Sequence, residues 1–255
     1  LNMNFFFGIK TEKICSNLTI ARFKNDGKNS KNHLLCKVVI KDSKWNLEIL
    51  NDNAINEEFY SVNEVLSDNE NIFFLAREDE IQKFDKYKLK KLNTFTDTFP
   101  AYRSNLKINI RDGGFSSFQS EYPFDMVLKR GSILSPISVL LNKNAKENII
   151  FIKNIYEEPV QKKFNLFFVN IETKKVVEKF ELRTNYTNSI NVENELIKPE
   201  IYLITDKYLG APLFVSIDNT HMSFEHTHPP HEYIMSKDKF KIISKLKRDI
   251  SEIIS

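Results

Sequence analysis

Short runs of Val, Ile, Leu, Phe and Tyr recur about every 10 to 15 residues along this chain, and the whole series of runs occurs twice. The runs either alternate apolar with polar residues or are apolar throughout, the patterns of strands with one or both faces buried. Five segments of the first half can be laid over five of the second in the same order, at separations of about 105 to 130 positions. Residues 33–44 match 164–175, 61–66 match 189–194, 71–76 match 200–205, 104–110 match 211–217, and 117–123 match 223–229. The last pair shares Ser-Phe-Gln/Glu-x-x-x-Pro, with Ser117, Phe118 and Pro123 answering Ser223, Phe224 and Pro229. The expected fold is mainly β: two similar tandem antiparallel β-sandwich-like units from an internal duplication, with a C-terminal amphipathic helix.

The first unit is expected over 14–126, with a charged insertion at 77–100 that reads as a solvated loop or short helix. The second is expected over 146–235. Between them, Gly131, Pro136 and a Lys/Asn run mark a boundary, although 133–141 is apolar enough to pair with a sheet. In 236–255, Phe240, Ile243, Leu246, Ile250 and Ile253 recur every three or four residues with Lys and Arg between them, and Ser236 is a candidate cap. That stripe should pack onto a sheet or a dimer mate.

Composition narrows the function classes. The chain has 6 glycines in 255 residues, against roughly 18 at average usage. None is spaced as a Rossmann fingerprint, a Walker A loop or a nucleophile elbow, so no nucleotide cofactor is expected. The 37 basic and 34 acidic residues give a net charge of +3, too balanced to imply a nucleic-acid partner. No apolar run is long enough to span a membrane as a helix, and a cytoplasmic location is expected. Cys15 and Cys36 cannot make a disulfide framework, which leaves a single bridge open.

Four of the 5 histidines fall between His221 and Glu232. Side chains on a strand alternate faces, so His226 and His228 point the same way about 7 Å apart, near enough to share a metal ion. Pro229 and Pro230 then turn the chain and can bring round His231 or Glu232. The expected centre takes His226, His228 and His231 as ligands to a divalent transition metal (zinc, iron or manganese), with Glu225 or Glu232 as a catalytic base or further ligand. The first unit carries Ser120, Tyr122 and Asp125 at the matching positions, so the strand does not need the histidines in order to form. No context marks Ser223 or Ser216 as a nucleophile.

His226-x-His228-x-x-x-Glu232 is similar to the first metal motif of cupins, and that resemblance implies a metal held in a β-barrel. It covers seven residues. The flanking glycines and the second downstream motif of cupins are missing here, so the chain is not assigned to them. The prolines equally forbid the helix of a His-Glu-x-x-His protease.

A second region, 111–123, offers Arg111, Gln119, Glu121 and Tyr122 around the Gly113-Gly114 turn. With His221 and Ser223 from the other unit, these could line one cleft for a small-molecule or carbohydrate ligand. Two readings follow. One is a metal-binding β-sandwich protein, extending to a metal-dependent enzyme acting on a small or carbohydrate substrate. The other is a non-catalytic tandem β-sandwich binding or scaffolding module for a glycan or protein, with the histidines at an interface and a homodimer as an option.

Overall fold

A computed structural model describes residues 4–22, 33–50, 54–55, 58–90, 104–111, 113–120, 122–128, 133–226 and 237–255. In the first half the strands are β1 (Asn4–Phe5), β2 (Ile14–Ala21), β3 (His33–Lys41), β4 (Lys44–Ile49), β5 (Phe59–Val62), β6 (Ile72–Arg77), β7 (Ser104–Ile110), β8 (Phe115–Ser120) and β9 (Tyr122–Pro123). Two short helices accompany them, α1 (Glu78–Ile81) and α2 (Phe124–Leu128). The second half contains β10 (Leu134–Pro136), β11 (Glu147–Asn154), β12 (Lys163–Asn170), β13 (Lys175–Arg183), β14 (Tyr186–Asn191), β15 (Ile201–Thr205), β16 (Ala211–Asp218), β17 (His221–His226) and the closing helix α3 (Lys239–Ile254).

Hydrogen bonding orders the first-half strands β5-β2-β7-β8 in one sheet and β4-β3-β6 in another. The second half repeats this as β14-β11-β16-β17 and β13-β12-β15, with β10 added beside β15. Among the described residues the fold is thus four antiparallel sheets in two similar pairs, with β1 and β9 forming a further two-stranded ribbon. The described strand portions of the five segment pairs matched in sequence lie at equivalent places in these orders.

Glycine scarcity leaves a local mark. Asp42, Ser43, Lys174, Asn185, Lys207 and Asn219 adopt positive φ, a backbone region that glycine enters most easily and that Asn and Asp tolerate next best. Asp42 and Ser43 (φ 50° and 56°) form the two-residue link between β3 and β4, where a primed turn matches the twist of the strands.

Three apolar clusters define the layers. Ile250 of α3 packs with Leu134, Phe167, Val169 and Ile204 on the outer face of the β10-β15-β12-β13 sheet, so the helix covers a sheet as its periodicity predicts. Leu166, Phe168 and Leu203 on the inner face of that sheet meet Ile150, Ile152 and Phe214. The other face of β11 and β16, with Ile149, Phe151, Leu213 and Val215, joins the core of the first unit. The middle strands β11 and β16 of the β14-β11-β16-β17 sheet are therefore buried on both faces, and for this reason β11 reads Ile-Ile-Phe-Ile without alternation.

Two features depart from the sequence reading. Phe5, Phe6, Phe7 and Ile9, outside the expected first unit, are all buried. This strap pairs Phe5 with Tyr122, bridges Phe6 to Phe73, and accepts a hydrogen bond at the Gly8 carbonyl from Thr187 Oγ1 (3.3 Å). The described part of the charged insertion, up to residue 90, holds the expected short helix α1 and is largely exposed, but it also clasps the rest of the fold. Lys86 O accepts the Trp45 N–H (2.8 Å), the buried Leu89 donates its N–H to Glu157 O (2.8 Å), and Lys88 pairs with Glu157 (2.9 Å). Cys15 and Cys36 are both free and buried, and burial pushes the Cys36 thiol up to about 12.

Candidate functional site between the units

The β7–β8 and β16–β17 hairpins occupy equivalent places in the two units and meet at their tips. The Gly114 N–H donates to Thr220 O (2.7 Å), and a Cβ at Gly113 or Gly114 would come within about 3 Å of that oxygen, so the close approach depends on the two glycines. Further along, the ring of Phe118 meets Phe224 edge-on (5.4 Å between centroids) and His226 at 4.2 Å. The histidine segment and the Gly-Gly segment thus lie side by side.

The metal-centred function read from the sequence is corrected here. Among the described residues no three His, Cys, Asp or Glu side chains come together as a metal site requires. Of the expected centre only His226 and Glu225 are described, and strand alternation sets those two apart. In register with β16, His226 lies opposite Leu213 on the face turned toward the first unit, while Glu225 lies opposite Phe214 on the other face and is exposed. His221, exposed at the far end of β17, has Nδ1 3.5 Å from the Thr220 hydroxyl. His228, His231 and Glu232 lie outside the described residues.

The other predicted site residues are placed as follows. Ser223 is exposed opposite Ser216, whose hydroxyl is already bonded to Asn148 (2.5 Å). Gln119 stands opposite Asn105 on β8, and Glu121 lies outside the described residues. Tyr122 is fully buried, with its hydroxyl donating to Leu209 O (3.4 Å) and its acidity suppressed by burial. Arg111 stands on the surface, its Nε–H donating to Glu12 O (2.8 Å).

Beside Arg111 a cleft of about 480 Å³ opens between the units. Glu12, Lys13, Ile110 and Arg111 of the first unit line it together with Lys146, Glu147, Ile217, Asn219 and Thr220 of the second. Lys13 pairs with Glu147 across it (2.6 Å), and the Lys146 ammonium donates to Asn219 Oδ1. Sequence reasoning found Arg111 but missed Lys13, Lys146 and Glu147, which lie far from it in the chain. The alignment of the two hairpins, which sets Asn219-Thr220 against Gly113-Gly114, pointed to the hairpin tips but to none of these three.

Comparison with known protein families, characterised proteins and solved structures returns no match. No described helix is long and apolar enough to cross a membrane.

Proposed function

We propose that this chain is a non-catalytic binding module that takes an acidic carbohydrate into the cleft between its two sandwich units. The supporting observation is the composition of that cleft: three cationic side chains, Lys13, Arg111 and Lys146, stand against two carboxylates, Glu12 and Glu147, around the apolar Ile110 and Ile217. Isoleucine side chains suit the C–H face of a sugar ring. The planar fork of Arg111 suits a uronate carboxylate, and Glu147, Asn219 and Thr220 can bond hydroxyls. In this reading the two units descend from one duplicated unit, and the ligand is held where their equivalent hairpins meet.

Calorimetric titration with uronate-containing oligosaccharides, neutral oligosaccharides and polyglutamate tests the reading. Binding of the uronates alone is expected, weakened at least about tenfold by Arg111→Ala or Lys146→Ala, in line with the loss of one charged hydrogen bond. Absence of uronate binding at millimolar concentration, or preference for polyglutamate, would overturn it.

A further inference from the structure

The two units differ at one sheet edge. In the first unit β4 is covered by the clasp, through the bond from the Trp45 N–H to Lys86 O. The equivalent edge of the second unit is β13, and the connection there that corresponds to the clasp, between β15 and β16, consists of residues 206–210 alone. β12 pairs with one side of β13, and among the described residues no strand pairs with the other. Unpaired N–H and C=O groups on such an edge are a template for another strand. Alongside, the mouth of the sandwich forms a groove of about 550 Å³ lined by Phe180, Leu182, Arg183, Tyr186, Asn188 and Ile190 among others. Val176 and Val177 on the same strand are 39% and 42% exposed.

The sequence of β13 indicates what fits this edge. About Phe180 the pattern Lys179-Phe180-Glu181 is its own complement in charge, with Glu181 shared with Lys163 of β12 (2.8 Å). A two-fold axis perpendicular to the sheet keeps each side chain on its own face and reverses strand direction, which gives an antiparallel pair. Centred on Phe180, it sets Lys179 opposite the partner's Glu181 and Glu181 opposite the partner's Lys179. It also sets Glu178 opposite the partner's Leu182, with the two Phe180 rings meeting on the groove side. The register shift at Phe168/Val169 marks a bulge near Val177, and the Asn188 side chain already takes the Arg183 N–H and C=O, so the run available for pairing is 178–182, which this axis bisects.

We propose that β13 is a self-association edge through which two copies of this chain join two four-stranded sheets into one continuous sheet, with inward side chains of each strand filling the groove beside the other. Cross-strand ion pairs fix the register, and main-chain hydrogen bonds supply the attraction.

Sedimentation equilibrium on the full chain should show a concentration-dependent dimer. Lys179→Glu and Glu181→Lys each set like charges opposite one another twice, and each should weaken dimerisation at least about tenfold. The double swap Lys179→Glu/Glu181→Lys should restore it, with circular dichroism showing that every variant is folded. A chain monomeric at about 0.5 mM, a dimer indifferent to both single reversals, or a double swap as weak as the singles would each defeat the proposal. None of these outcomes depends on the carbohydrate cleft, whose residues lie on other strands.

Discussion

Lys153 is the residue whose setting departs furthest from what its chemistry prefers. A lysine at the end of an apolar run is expected to reach water, yet Lys153 is fully buried where the two units meet. Its ammonium donates to Asn69 O (2.9 Å) and lies within 3.4 Å of Asn71 O, with the ring of Phe7 5.9 Å away. Its neighbours in register, Thr187 and Ala211, are uncharged. Burial pushes the amine down to about 7, against a partial pull upward from Glu70 and Asp68. Between about 7 and its ordinary value of 10.5 the unfolded chain binds a proton that the folded chain lacks, so stability rises with pH across that window. The gain is complete above 10.5 and is lost as the pH falls to about 7. Urea unfolding from about pH 6.5 to 10 should therefore show a component of slope up to about 1.4 kcal/mol per pH unit that Lys153→Met removes. Parallel curves for parent and variant would contradict this burial. Nothing in the sequence around Lys153 distinguishes it from Lys41, at the end of β3, which is exposed.

At the scale of elements, the terminal helix and the strands with strong apolar runs were legible, and charge-rich edges and the clasp were not. The matched segments found β3, β5, β6, β7 and β8 with their counterparts because each keeps its run of β-branched and aromatic residues in both units. β4 and β13 escaped because edge strands rich in charge, such as Lys-Val-Val-Glu-Lys-Phe-Glu-Leu-Arg, resemble solvated turns. The clasp escaped because its composition is that of a surface loop, while its role rests on two backbone bonds and the single buried Leu89. Leu89→Ala should cost about 2 to 4 kcal/mol in chemical denaturation, more than its charged surroundings suggest, and an effect below about 0.5 kcal/mol would return the segment to the solvated loop expected from sequence. The histidine cluster misled for the opposite reason. Its residue types fit a metal, but Phe118 packs at a tilt against His226, alternation turns Glu225 to the other face, and His228, His231 and Glu232 lie outside the described residues. Spacing along a strand shows which face a side chain takes and leaves open what already occupies that face.

For the molecule as a whole, two units that share one cluster of buried side chains should not unfold separately. Phe151, Leu213 and Val215 belong to the second unit by sequence and to the core of the first by packing. Scanning calorimetry is expected to give one transition whose van't Hoff and calorimetric enthalpies agree, and Phe151→Ala, at a cost of about 3 to 5 kcal/mol, should lower it without splitting it. Two resolved transitions would show the joint to be dispensable. The same joint bears on how the chain is made. The Gly8 carbonyl waits for the Thr187 hydroxyl, 179 residues later. At ribosomal speeds of about 5 to 20 residues per second, that interval is roughly 9 to 36 s. Throughout it, three consecutive phenylalanines, Phe5 to Phe7, lack part of their eventual covering, so this stretch of the nascent chain stays apolar and uncovered longest.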